Sequence, residues 1–190
     1  MFFKFQRRFP DGRNQFGAFF VRDMASGALR CFGRTISGHP CWMHDGRAIL
    51  NVMPPEGWIY TRGGKGFDPV DGSRNRWLVV VDAETGAYER LVDLPIEGPG
   101  HPIVSPDGRW IVTDAFRQSG RSTPIYVIEI RTGIAREIIR LDHHFSGASP
   151  TALTRGQPHP AWSPDGREVY VNCNHGGRAM EPLILYDFLP

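Results

Sequence analysis

One nine-residue pattern occurs three times in this chain of 190 residues. Residues 39–47 read His-Pro-Cys-Trp-Met-His-Asp-Gly-Arg, residues 101–109 read His-Pro-Ile-Val-Ser-Pro-Asp-Gly-Arg, and residues 159–167 read His-Pro-Ala-Trp-Ser-Pro-Asp-Gly-Arg. Tandem repetition on this scale predicts an array of equivalent modules, because each module buries its apolar faces only against its neighbours. It also places a histidine at the same position of every module.

The residues of each module favour antiparallel strands. In Ser-Pro-Asp-Gly at residues 105–108, Pro sets the φ angle of a type I turn and Gly suits the left-handed residue that follows. β-branched runs at 110–113 and 124–130 come next, and Thr-Gly at 132–133 turns the chain again. The same second hairpin is predicted at 77–87 and at 19–28. Each full module is therefore a four-stranded antiparallel meander.

Four-stranded meanders in tandem are the blades of a β-propeller, whose first strands line a central channel. We therefore predict an all-β fold, a single propeller domain over residues 1–190; a stacked sandwich is the alternative. The units are a partial blade at 1–36, full blades at 37–98 and 99–156, and a partial blade at 157–190. Inserted segments lengthen the units, and residues 57–73 are expected to form a long loop.

About three and a half blades leave the ring open, because propellers usually close with 4 to 8 blades. The chain either forms a strained small ring, pairs with a second copy, or is part of a longer propeller, and we favour the last. Open blade edges also predict self-association, since unpaired strands recruit partners.

Composition excludes several classes of function. The net charge is only +2, which argues against a nucleic-acid partner. No apolar run approaches the roughly 20 residues that span a bilayer, and charges at Lys4, Arg7 and Arg8 occupy the place of a signal-peptide core. The three cysteines have no metal-type spacing, so free thiols in a reducing compartment are expected. We predict a cytoplasmic protein without membrane contact.

The repeated pattern resembles the blades of TolB-like (WD40-like) propellers. Leu-Asp-His-His-Phe-Ser at 141–146 and Gln-Pro-His-Pro-Ala-Trp-Ser-Pro-Asp-Gly at 157–166 are more specifically similar to the late blades of oligogalacturonate lyases. The resemblance covers roughly residues 37–187. It implies a seven-bladed propeller that holds a manganese ion at the channel mouth and cleaves short uronate chains, a step in pectin breakdown.

The implied chemistry is a metal-assisted β-elimination. Removing the proton α to a carboxylate builds negative charge on that carboxylate, and a nearby cation stabilises it. A basic side chain must take the proton, and arginines would hold the acidic oligosaccharide.

The resemblance implies that His101, Gln157 and His159 are the metal ligands and that His39 is the general base. The lyases tend to read His-Pro-His-Pro where this chain has Gln-Pro-His-Pro at 157–160. A Gln coordinates through its carbonyl oxygen, more weakly than imidazole. The alternative is a non-catalytic TolB-like propeller that binds a protein or small ligand, in which the repeated histidines are structural.

Other basic side chains are predicted to be solvated loop residues. They are Arg62, Lys65, Arg74, His143, His144 and His175.

Overall fold

The computed structural model describes residues 2–8, 14–34, 39–52, 58–60, 67–69, 76–82, 84–85, 87–94, 100–115, 122–142, 157–173 and 181–189. Within these ranges every regular element is a β-strand. The strands are β1 (Phe2–Arg8), β2 (Asn14–Arg22), β3 (Leu29–Arg34), β4 (Cys41–Trp42), β5 (Ala48–Val52), β6 (Trp58–Tyr60), β7 (Phe67–Pro69), β8 (Arg76–Val81), β9 (Tyr88–Leu94), β10 (Ile103–Val104), β11 (Trp110–Asp114), β12 (Ser122–Glu129), β13 (Ala135–Asp142), β14 (Ala161–Trp162), β15 (Glu168–Cys173) and β16 (Glu181–Tyr186). The predicted all-β class is confirmed.

The strands form four antiparallel meanders in chain order. The first sheet is β1-β2-β3, the second β4-β5-β8-β9, the third β10-β11-β12-β13 and the fourth β14-β15-β16. The second and third sheets have the four strands that the repeat predicts. The fourth contains three strands in the described residues.

The inserted segment at 57–73 differs from its predicted form. It was expected to be a loop, but β6 and β7 pair antiparallel, with Ile59 opposite Asp68. The reason is local, since Trp-Ile-Tyr at 58–60 combines aromatic and β-branched side chains that favour a strand. The lysine and arginines predicted to be solvated in this unit, Arg62, Lys65 and Arg74, lie outside the described residues, as do His143, His144 and His175.

The Asp-Gly-Arg part of the repeat forms the hairpin turns between the first and second strands of three sheets. Gly46, Gly108 and Gly166 have φ angles of 83°, 73° and 74°, in the left-handed region that glycine adopts without strain. The Gly108 N–H donates to the Ser105 carbonyl at 2.9 Å, and the Ser105 hydroxyl accepts the Trp110 N–H at 2.9 Å. Local turn chemistry therefore explains this half of the repeat.

Successive sheets pack face to face. Ile111 packs with Leu78 and Ile128 in a cluster between the second and third sheets. Its neighbour Val112 packs with Val169 in a second cluster between the third and fourth sheets. Consecutive residues of a strand point to opposite faces, so the third sheet is buried on both sides. This is the packing of neighbouring propeller blades.

The short innermost strands lie side by side. β10 packs against both β4 and β14. The Trp162 indole N–H donates to the Ile103 carbonyl at 3.0 Å, and the Val104 N–H donates to Cys41 Sγ at 3.4 Å. The residues that immediately precede these strands are therefore brought together at one end.

Two smaller expectations concern thiols and membranes. Cys41 and Cys173 are free thiols, as predicted, whereas the side chain of Cys31 is outside the described part of the chain. Among the described residues, no helix has the length and apolar character needed to span a bilayer.

Candidate functional site

The histidines of the three repeats meet in one cluster, which we call the histidine cluster (His39, His101 and His159). The ring centroids of His39 and His101 are 4.1 Å apart, and those of His101 and His159 are 3.6 Å apart. The outer pair, His39 and His159, is separated by 6.1 Å. His101 is thus the central ring, and each ring comes from a different sheet.

Two residues of the histidine cluster have a left-handed backbone conformation. His39 has a φ angle of 77° and His159 one of 43°. A non-glycine residue in the left-handed region costs about 1–3 kcal/mol and persists only where the surroundings enforce it. Asp187, outside the cluster, also has a positive φ angle of 55°, so this conformation alone does not distinguish a functional cluster from a packed one.

His101 is buried and held from one side. Only 4% of the residue is exposed. Its Nδ1 lies 2.9 Å from Oδ1 and 2.8 Å from Oδ2 of Asp114, and its backbone N–H donates to Oδ1 at 2.7 Å. The other ring nitrogen, Nε2, is buried and has no hydrogen-bond partner in the described part of the chain. A buried nitrogen of this kind is costly unless a ligand completes it.

Asp114 was not singled out from the sequence. It ends β11, its side chain is completely buried, and it pairs with His101. A sequence signal existed, because the positions equivalent to Asp114 in the other repeats, counted from the Asp-Gly-Arg turn, are Val52 and Asn172. Only the middle repeat has a carboxylate at this position.

His159 lies at the more open side of the cluster and contacts the predicted amide ligand. Its Nε2 lies 3.1 Å from Oε1 of Gln157; because an amide oxygen only accepts hydrogen bonds, Nε2 carries the proton of this bond and would have to lose it before binding a metal. Desolvation lowers the pKa of His159 below 6.5, the neighbouring His101 lowers it further, and the charge of Asp114 opposes both effects. The imidazole of His159 is therefore neutral, and able to bind a metal, over a wider pH range than an ordinary histidine.

Imidazole nitrogen and amide oxygen are donor atoms that suit a mid-series divalent ion, but the spacing of the ligands must also fit. Two ligands at adjacent corners of an octahedral site are about 3.0 Å apart, close to the 3.1 Å between His159 and Gln157. Two imidazoles on such corners have ring centroids about 4.5 Å apart, whereas His101 and His159 are at 3.6 Å. Binding would require these two rings to separate by about 1 Å.

Across the described ranges, no group of three or more His, Cys, Asp and Glu side chains is arranged to hold a metal ion. The three rings of the histidine cluster, as they stand in the structure, do not form such a group.

Comparison with known proteins identifies the fold. No family model matches the sequence, and no curated protein matches it. The structure is similar to TolB from Acinetobacter baumannii, with a TM-score of 0.55 at 14% identity over 98% of this chain and 41% of that chain. It is also similar to the β-propeller domain of the Trilobed protease from Pyrococcus furiosus, with a TM-score of 0.56 at 13% identity over 98% of this chain and 51% of that one.

A third similar structure is an oligogalacturonate lyase in complex with manganese. Its TM-score is 0.50 at 17% identity, over 91% of this chain and 55% of that chain. At such identities the similarity shows the fold, so the predicted β-propeller architecture is confirmed for a chain that corresponds to part of a propeller. The chain spans about half the length of these proteins.

Proposed function

We propose that this chain is a lyase-type propeller that acts on short uronate oligosaccharides by metal-assisted β-elimination. One observation carries the proposal: the buried Nε2 of His101 has no partner among the described residues, and its ring lies against those of His39 and His159. If the repeated histidines only packed against one another, there would be no reason for one copy, His101, to pair with a buried carboxylate. The likeness to a lyase that holds manganese supports the same choice.

His101, Gln157 and His159 would hold the ion, through Nε2, Oε1 and Nε2 respectively. A divalent cation such as Mn²⁺, when bound, would stabilise the negative charge that develops on the uronate carboxylate. The lowered pKa of His159 favours the neutral imidazole that coordination requires. The Asp114 carboxylate contacts Nδ1 of His101 and leaves Nε2 available to the ion.

His39 is the candidate general base. It is more exposed than His101 and packs against it at 4.1 Å between ring centroids. An imidazole has its ordinary pKa near neutrality, so its neutral form can accept the proton α to the carboxylate.

A second function, a non-catalytic TolB-like binding module, is favoured by the ring spacing. The 3.6 Å separation of His101 and His159 is that of stacked rings and is tighter than two ligands of one ion would show. In that case the cluster would serve to hold the inner strands of three sheets together.

The deciding experiment combines metal content with product formation. The purified protein is equilibrated with Mn²⁺, and bound metal is measured by elemental mass spectrometry. Incubation with digalacturonate is followed through the absorbance of the unsaturated uronate product. The variants are His101→Ala and Gln157→Ala, with His44→Ala as the matched control, because the His44 ring contacts the Ser105 carbonyl at a turn, at 3.0 Å.

We expect metal and product with the unaltered chain and with His44→Ala, and loss of both in the cluster variants. Strand content by circular dichroism should stay unchanged. A folded protein that binds no metal and forms no product would refute the lyase proposal and favour the binding module.

A further inference from the structure

The middle repeat differs from the other two by a single buried carboxylate. Asp114 occupies the position that is Val52 in the preceding repeat and Asn172 in the following one. The Asn172 side chain donates to the Gln157 carbonyl at 3.4 Å, so it does not reproduce the contact of Asp114 with a ring. Features shared by all repeats belong to the blade fold, whereas a feature of one repeat calls for a separate explanation.

Asp114 joins two neighbouring repeats. Its Oδ1 accepts the His101 N–H at 2.7 Å, and its Oδ2 accepts the backbone N–H of His159 at 3.4 Å. The segment before His101 is packed against the end of β11, because a Cβ atom at Gly100 would collide with the Asp114 carbonyl oxygen. The carboxylate therefore belongs to a closely packed strand end and contacts two of the three residues of the histidine cluster.

An ionised carboxylate accepts hydrogen bonds and cannot donate them. The contacts of 2.9 and 2.8 Å from both carboxylate oxygens to Nδ1 of His101 therefore require a proton on Nδ1. In a neutral imidazole the remaining nitrogen, Nε2, then holds a lone pair. A proton on Nε2 would instead be buried without an acceptor among the described residues, which costs the desolvation free energy of an unmade hydrogen bond.

We propose that Asp114 is a positioning residue that fixes His101 in the tautomer with Nδ1 protonated, so that Nε2 carries the lone pair. Its catalytic meaning rests on the proposed function, in which Nε2 binds the ion. Carboxylates that hold the distal nitrogen of a ligating histidine raise the basicity of the ligand and fix its orientation. The tautomer itself is a property of the metal-free chain.

Nitrogen-15 NMR of the histidine rings tests this in the full chain after removal of metal with a chelator. At about pH 8, where an ordinary imidazole is neutral, the Nδ1 and Nε2 shifts distinguish the two tautomers and the imidazolium. We expect His101 to show protonated Nδ1 and unprotonated Nε2. The assignment is made by loss of the signals in His101→Ala.

The companion variant is Asp114→Asn, which places the residue of the next repeat at this position. Asp107→Asn is the matched control, because that carboxylate bonds the Ser105 hydroxyl and the Arg109 N–H in a turn of the same sheet. We expect Asp114→Asn to produce a mixture of tautomers and to weaken Mn²⁺ affinity by about 10- to 100-fold. Asp107→Asn should change neither.

The outcomes separate this inference from the proposed function. An unaltered chain with a proton on Nε2 of His101 would overturn the inference, even if the protein bound Mn²⁺ and formed product. The inference also fails if Asp114→Asn folds and keeps both the tautomer and the metal affinity. A fixed tautomer that depends on Asp114, in a protein that forms no product, would support the inference and refute the lyase proposal. If Asp114→Asn does not fold, the spectrum of the unaltered chain decides.

Discussion

Adjacent residues of β11 should make independent contributions to stability, because they belong to different inter-sheet clusters. Ile111 and Val112 are fully buried, yet Ile111 packs between the second and third sheets and Val112 between the third and fourth. Distant side chains that share no partners have nearly additive effects on the free energy of unfolding, to within about 0.5 kcal/mol, and we expect the same here because the two side chains point into different clusters. Neighbours in sequence are normally expected to couple, so additivity here is a specific consequence of blade packing.

The expected magnitudes follow from the atoms removed. Ile111→Val deletes one buried methylene, worth about 0.8 kcal/mol in transfer, and with the cavity term the loss is about 1 kcal/mol. Val112→Ala deletes two carbons, so the loss is about 2–3 kcal/mol. The double variant should then lose about 3–4 kcal/mol, which most domains tolerate, because their stability is about 5–15 kcal/mol.

The assay is denaturation in urea, followed by circular dichroism. Midpoints should shift while the slopes stay unchanged, because the surface exposed on unfolding is nearly the same. Ile134→Val is the control, since 58% of Ile134 is exposed, and it should stay within about 0.5 kcal/mol of the unaltered chain. A coupling free energy above about 1 kcal/mol between Ile111→Val and Val112→Ala would refute the two-cluster packing.

Three further predictions concern pH, an inter-sheet hydrogen bond and a thiol. Desolvation and the nearby His101 lower the pKa of His159 below 6.5. Between the folded-state pKa and pH 6.5 the unfolded chain therefore binds more protons than the folded chain. The free energy of unfolding should fall as the solution is acidified through that window. His159→Gln should reduce this slope in urea midpoints measured across the window, and an unchanged slope would contradict the assignment. Trp162→Phe removes the indole donor to the Ile103 carbonyl and should cost about 0.5–1.5 kcal/mol in thermal unfolding; a variant as stable as the unaltered chain would contradict a contribution of this bond to stability. Burial raises the pKa of the Cys41 thiol, so Cys41 should react with a thiol reagent more slowly than a free cysteine at the same pH, and comparison with Cys41→Ser identifies its share of the signal.

The blades could be predicted from the sequence because their signals are local. Pro-Asp-Gly at 106–108 sets a turn by its own φ preferences, and the β-branched run at 110–113 favours a strand without reference to distant residues. The same reasoning failed at 57–73, where composition suggested a loop and Trp58–Tyr60 forms a strand. The many glycines of this segment indicated a loop, although three strand-forming residues were enough for a short pair of strands.

The candidate site was predictable only in part. The repeat identified His39, His101 and His159 as equivalent positions, and a propeller aligns equivalent positions around one axis. The structure brings the three rings together and adds Gln157 through its contact with His159. Asp114 lies outside the nine-residue pattern, so only a comparison of the residues that follow each copy could have singled it out, and its contacts join residues 13 and 45 positions away.

By itself, the sequence determined the blades, their order and the recurrence of a histidine at the start of each inner strand, because turns and strands depend on neighbours along the chain. Tertiary structure decided which histidine became the buried central ring, how its Nδ1 was engaged and why its Nε2 was left without a partner in the described residues. The physical reason is that burial and hydrogen bonding are properties of contacts between sheets. Three identical residues in three equivalent places acquired different chemistry from what packs against each of them.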